Sequence, residues 1–175
     1  MKSTGEVMGI SDSFGMAFAK SQIAAGNKLP LFGKVFITVK NADKRAIVYI
    51  AKRLEDLGFK ICATSGTAKA LKSGGIDVEK VYKVHEGRPN IVDLIKNGEI
   101  QLIINTPSGR ISKADEIAIR KAAISYGVPL ITTISGAQAV VSGIEELIRR
   151  RKITVRSLQE YHAKSYIYAN SISSY

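Results

Sequence analysis

KVFITVKNADKRAIVYIAKRLEDLGFKICATSGTAKALKSGG, residues 34–75, is the stretch whose reading decides the fold. Lys34-Val-Phe-Ile-Thr-Val39 is a short apolar run rich in β-branched residues, the pattern of a buried strand. Over 43–57, Ala46, Ile47, Ile50, Ala51, Leu54 and Leu57 recur at helical spacing, and Gly58 stops the helix. A strand over 59–63 leads into the turn Thr64-Ser65-Gly66-Thr67, which opens a short helix ending at Gly74-Gly75. Strands alternating with helices at this spacing argue for a parallel sheet covered on both faces.

The alternation continues downstream. A strand near 78–83 precedes a loop and a helix around 90–97, stopped by Asn97-Gly98. IQLIIN over 100–105 is the most apolar strand, and helix 112–126 carries Ile117, Ile119, Ala122 and Ala123. A strand over 129–133 feeds Ser135-Gly136, where a helix starts and runs to about Arg150. Ile153 to Val155 reads as a last strand, and Ser157 as the cap of a terminal helix. Upstream, residues 1–11 read as a loop and Asp12 as an N-cap, with a helix over 12–25 whose Phe14, Ala17 and Phe18 share a face. Gly26-Asn27-Lys28-Leu29-Pro30 is the clearest linker. The predicted architecture is α/β: three layers, with a mostly parallel five-stranded sheet between helices on both faces.

Composition bounds the function. The 175 residues suit one domain, with 45% hydrophobic and 23% charged residues in an ordinary globular balance. The single cysteine, Cys62, excludes an internal disulfide and a CxxC metal site, and His85 and His162 are too few for a His-rich centre. No apolar run is long enough to cross a bilayer and the N-terminus lacks a signal's apolar core, so the cytoplasm is the expected compartment. Twenty-six Lys and Arg against 15 Asp and Glu give a net charge of +11, which favours anionic ligands without specifying a site. The dense run Arg149-Arg150-Arg151-Lys152 reads as a solvated helix end.

Right-handed crossovers put the strand C-termini on one edge, where ligands of such sheets bind. Lys44 opens the first helix of the α/β unit, and Thr64, Ser65, Gly66 and Thr67 open the next. Lys83 ends the third strand, Asn105-Thr106-Pro107-Ser108-Gly109-Arg110 follows the fourth, and Thr132-Thr133 the fifth. Exposed N–H groups, hydroxyls and cations at a helix N-terminus suit a phosphate, and Asn105 and the threonines suit a sugar or base. Each group has a plain alternative as a helix cap or surface charge. Catalysis finds less support. His85-Glu86 offers an acid–base pair, but adjacent residues point apart. Asp12, Asp43, Asp93 and Asp115 read as helix-cap or helix-surface carboxylates, and Cys62 as an inert core thiol. From the residues alone, the chain reads as a binding domain with no catalytic set.

The set Thr64-Ser-Gly-Thr67, Lys83-Val-His-Glu-Gly-Arg-Pro89 and Asn105-Thr-Pro-Ser-Gly-Arg110 resembles the methylglyoxal-synthase-like domain, and more closely the C-terminal allosteric domain of the carbamoyl phosphate synthase large subunit. The resemblance spans roughly residues 1–162. It divides the chain into the end of the second ATP-grasp unit and its connector (1–30), the allosteric domain (31–163) and a tail (164–175). It implies a regulatory site for UMP or IMP, with the phosphate against Thr64, Gly66, Thr67 and Lys83 and with Lys44 nearby. Asn105 and the Thr106-Pro107 turn would face ribose or base, and Thr132 would lie on the ornithine side. It also implies partners, namely the synthetase part and the glutaminase subunit, and assembly through this domain in some members. ATP with Mg or Mn belongs to the parent's other units, so no cofactor is expected in this chain.

Two departures follow from the resemblance. Pro107 stands where the bacterial motif often has threonine, which removes a hydroxyl. The two aspartate positions of methylglyoxal synthase hold Arg88 and Thr106, which removes its acid–base carboxylates. A stand-alone phosphate-elimination lyase is therefore the alternative reading. A nucleic-acid binder driven by charge is a third, and no aromatics interleave with the basic run to favour it.

Overall fold

Successive side chains of a strand point to opposite faces of the sheet, so each central strand feeds two cores. The computed structural model describes residues 2–3, 5–107, 113–150 and 153–162; Ser108-Gly109-Arg110 of the predicted site loop, Arg151-Lys152 and the tail lie outside the described residues. In chain order the first elements are β1 (Lys2–Ser3), β2 (Glu6–Val7), α1 (Phe14–Ala24), β3 (Lys34–Thr38), α2 (Lys44–Asp56) and β4 (Lys60–Ala63). There follow α3 (Ser65–Ser73), β5 (Val78–Lys80), α4 (Ile91–Lys96), β6 (Leu102–Asn105), α5 (Lys113–Ser125), β7 (Leu130–Ile131) and α6 (Ile134–Arg150).

Val35, Ile37, Ile61, Ala63, Leu102 and Ile104 enter one buried cluster with residues of α1, α2, α3 and α6. Phe36, Cys62 and Ile103 enter the other with α4 and α5. These are the three predicted layers. The sheet order is β5-β4-β3-β6-β7 and every pairing is parallel, with Val35 opposite both Ile61 and Leu102, and Thr38 opposite Asn105. From β3 the chain steps outward to β4 and β5, then crosses back to β6 and β7. That reversal opens a crevice beyond the C-terminal ends of β3 and β6. Among the described residues, no helix is long and apolar enough to cross a membrane.

The ends of the chain depart from the expectation. The predicted N-terminal loop contains an antiparallel ribbon, Lys2 opposite Val7 and Ser3 opposite Glu6, with strands too short to carry a periodic signal. Ser13, not Asp12, caps α1, its Oγ accepting from the Met16 amide at 3.4 Å. Asp12 instead lies 3.9 Å from Arg156. Phe14 is 69% exposed, because the contact face of α1 is Gly15, Met16 and Ala19. A Cβ at Gly15 would overlap the Ser142 carbonyl oxygen of α6, so backbone proximity and not apolar bulk sets this contact. Ile117 of α5 is likewise exposed, while Ile119, Ala122 and Ala123 are buried. Residues 153–155 form no strand, and Val155 is fully open to solvent. The cap at Ser157 is present over the helix at 158–162: its amide donates to Glu160 Oε2 at 2.6 Å, and the Glu160 amide donates to Ser157 Oγ at 3.2 Å. The Tyr161 hydroxyl donates to the Ile10 carbonyl at 3.0 Å, tying this segment to the N-terminal one.

Candidate functional site

Four threonines draw the strand ends together. Thr67 Oγ1 accepts from the Val39 amide at 3.2 Å, Thr106 Oγ1 accepts from the Lys40 amide at 3.1 Å, and the Thr38 and Thr64 hydroxyls pair at 3.0 Å. The Thr106 amide closes the set by donating to the Thr38 carbonyl at 3.1 Å. Thr64, Thr67 and Thr106 are all buried, at 6%, 2% and 4% exposure, and the Val39–Thr67 bond is fully shielded from water. A hydroxyl that accepts an amide proton keeps its own O–H. Thr67 and Thr106, and one member of the Thr38–Thr64 pair, therefore each hold a proton with no acceptor among the described residues.

These bonds frame a cavity of about 380 Å3 at the switch point of the sheet, lined by Lys44, Thr64, Gly66, Thr67, Lys83, Asn105 and Thr106 among others. α3 starts at Ser65 with no side-chain cap from Thr64, which leaves its first amides available. Lys44 Nζ lies 3.3 Å from where a Cβ on Gly66 would sit, so the ammonium stands over that first turn. It has no ion-pair partner among the described residues, whereas Lys40 lies 3.8 Å from Asp43 and Lys83 lies 3.7 Å from Glu86. The Lys83 amide also donates to Glu86, and this bond holds the Glu86 carboxyl below the ordinary carboxylate range. An anion seated on α3 would meet amides, hydroxyl protons and an ammonium at once.

Not every predicted site residue reaches the cavity. Ser65 and Pro107 are exposed and outside its lining. Thr132 is exposed at the end of β7, away from the cavity, and the neighbouring Thr133 caps α6 by accepting from the Gly136 amide at 3.0 Å. Arg88 is also outside, largely exposed and 4.0 Å from Asp93. Asp93 is a capping carboxylate as expected, accepting from the Asn90 amide at 3.1 Å. Cys62 is buried in the core with α4 and α5 and outside the cavity lining, and burial pushes its thiol up to about 12.

Asp115 overturns its reading as a surface or cap carboxylate. It is only 9% exposed, lines the cavity, and lies with His85 Nδ1 3.0 Å from its Oδ1. His85 is therefore paired with Asp115 and not with Glu86, which turns back to Lys83. The sequence did carry a signal: Asp115 shares the helical spacing of Ile119, Ala122 and Ala123, the buried face of α5. Ile91 and Ile119 add apolar wall to the same cavity.

A parallel sheet between helices, with polar groups gathered at its switch point, defines an α/β class, and comparison with known proteins narrows it. Residues 46–132 match the family model described as the MGS-like domain. The crystal structure of methylglyoxal synthase from Elizabethkingia anophelis superposes with a TM-score of 0.52, covering 65% of this chain and 80% of that one at 16% identity, a likeness of fold. The chain thus carries an MGS-like domain with the MGS-like α/β fold. In sequence it is similar to carbamoyl phosphate synthase large chains. It is 58% identical over 163 residues to that of Acidobacterium capsulatum, and 53% identical over 163 residues to the C-terminal section of that of Methanopyrus kandleri. Both alignments cover 93% of this chain, but it spans only 15% of the first relative and 30% of the second.

Proposed function

We propose that the chain is the regulatory section of a carbamoyl phosphate synthase large chain, binding UMP or IMP to control carbamoyl phosphate synthesis for pyrimidines and arginine. The observation that carries this reading is the Lys44 ammonium, without an ion-pair partner among the described residues, over the uncapped start of α3 at the sheet's switch point. The phosphate sits there against Gly66 and Thr67 with Thr64 and Lys83 close by, and Asn105 and Thr106 face the nucleoside. A nucleotide acts by binding one arrangement of this section against the synthetase part more tightly than another. Residues 1–30 are the end of the second ATP-grasp unit with its connector helix, 31–163 the effector domain and 164–175 a tail. Thr132, outside the cavity, contributes to an ornithine site completed by the synthetase. The glutaminase subunit, assembly between copies and a cytoplasmic setting belong to the same proposal. ATP and its metal belong to the units that are not in this chain.

Calorimetric titration with UMP and IMP tests the reading. Saturable binding of one of them, weakened at least about tenfold in Lys83→Ala, is expected from the loss of a charge-assisted contact. A folded chain that binds neither would contradict it.

A lyase reading gains one point and still lacks another. Asp115 on the cavity wall is paired with His85, which lies outside the lining and is largely exposed. Arg88, at one of the positions where the lyase pattern has a carboxylate, is exposed and outside the cavity. Dihydroxyacetone phosphate incubated with the chain is expected to release neither methylglyoxal nor phosphate.

A further inference from the structure

Away from the cavity at the switch point lies a larger hollow of different character. It is a groove of about 560 Å3 between residues 8–10, the outer face of α1 and residues 153–161. Met8, Ile23, Ile153, Val155 and Leu158 line it, and each is between 41% and 93% exposed. Single apolar residues at a surface are ordinary, but five gathered in one groove mark a surface that something covers. The polar groups of its floor are already matched to one another. The Ile10 carbonyl accepts from Lys20 Nζ at 2.9 Å and from the Tyr161 hydroxyl at 3.0 Å, and Lys20 Nζ lies 3.1 Å from the Tyr161 oxygen. Lys20 and Arg156 each stand 5.9 Å from the centre of the Tyr161 ring. The groove thus offers apolar walls and two cations suited to aromatic faces, with no carboxylate among the residues that line it.

The chain itself supplies an occupant of that chemistry. Residues 163–175 follow directly on the helix at 158–162, whose Leu158 and Tyr161 line the groove. They carry Tyr166, Ile167 and Tyr168 in succession, and Lys164 is their one charged side chain. Such a segment meets a cation through its rings and an apolar wall through its isoleucine. Its 13 residues extend to at most about 45 Å, against about 16 Å for the whole of α1, so every part of the groove is within reach. A segment tethered at the rim is also present at an effective concentration in the millimolar range, which a separate partner in dilute solution does not match. We propose that this groove is the docking site of the chain's own tail, with Tyr166, Ile167 and Tyr168 seated between α1 and the helix at 158–162. So seated, the tail clasps residues 8–10 and 153–156 onto α1.

The test uses the full chain without nucleotide. Cys62 is buried and its thiol is pushed up to about 12, so a nitroxide attached through Ser171→Cys marks the tail alone. The NMR signals of Met8 and Ile23 are expected to broaden, while those of α5, across the sheet from α1, stay sharp. Replacing Tyr166, Ile167 and Tyr168 together by serine in the labelled chain is expected to restore the sharp signals. A second measurement reads the contact as stability. Ile23→Ser, at a half-exposed position, and the triple tail substitution are each expected to lower the melting temperature by about 2–4 °C, and together by no more than the larger loss alone. Broadening that is equal with and without the tyrosines, or losses that simply add, would overturn the proposal. Broadening of Met8 and Ile23 caused by the labelled tail of a different copy would also overturn it, in favour of pairing between chains.

Discussion

Lys44 is placed where a cation is disfavoured twice. It is the first residue of α2, and its ammonium stands over the start of α3, so the positive ends of two helix dipoles face the same charge. The chain maintains this arrangement without a carboxylate partner among the described residues, which is the condition an anion relieves. Lys44→Ala is accordingly expected to keep or slightly raise thermal stability, by up to about 1 kcal/mol, while nucleotide affinity falls at least about tenfold. A variant that lost stability and affinity together would mark Lys44 as structural. Gly66→Ala separates the same two quantities. A methyl there meets only the flexible end of Lys44, at 3.3 Å, so the fold accepts it and the helix gains propensity. The ammonium must move, however, and the expected result is a stable protein with weakened phosphate binding, read by calorimetry beside thermal denaturation.

Among the elements, the contact of α1 with α6 depends on absent side chains. Gly15 lies against the Ser142 carbonyl, and Gly143 lies under Leu29. Arg53 of α2 reaches Glu145 of α6 through a bidentate pair at 2.8 and 2.6 Å and the Ser142 hydroxyl at 3.1 Å. α6 thus joins α1 to the helix that begins with Lys44. Gly15→Val is expected to destabilise the chain by about 1–3 kcal/mol, as overpacking does, measured by chemical denaturation. An unchanged midpoint would mean that α1 contributes nothing to the fold. This contact also shows why the packing face of α1 was harder to read from the sequence than the helix itself, which was expected over 12–25. α2 announced itself because Ile47, Ile50, Ala51 and Leu54 are its buried face, so apolar period and contact coincide. In α1 the buried face is Gly15, Met16 and Ala19 with Phe18 packed beside it, while Phe14 faces outward. At the site, the strand ends were legible because parallel topology alone brings Lys44, Thr64, Thr67, Asn105 and Thr106 to one edge. Asp115 was missed because a charge at the start of a helix reads as a cap, and only its register with Ile119 tells otherwise.

The whole molecule carries a net charge of +11, and acid strengthens that excess. Backbone amides of Lys83 and Ser157 hold the carboxyls of Glu86 and Glu160 below their ordinary 4.5. A carboxyl depressed in the folded state contributes stability that is complete above its unfolded value and disappears as pH falls through its folded one. The melting temperature is therefore expected to be level near neutrality and to fall below pH 4.5, where added positive charge also repels itself. A double Glu86→Gln, Glu160→Gln variant is expected to show a shallower acid limb, and an unchanged limb would exclude these two groups. The same charge allows a rival explanation of any nucleotide binding, in which anions collect at basic surface such as Arg149 and Arg150. Amide NMR of the 19.0 kDa chain during titration with UMP separates the two. Saturable shifts at Gly66, Thr67 and Thr106, with little change near Arg149, are expected if the cavity at the switch point holds the phosphate. Shifts confined to the basic end of α6, or none at the start of α3, would contradict the site.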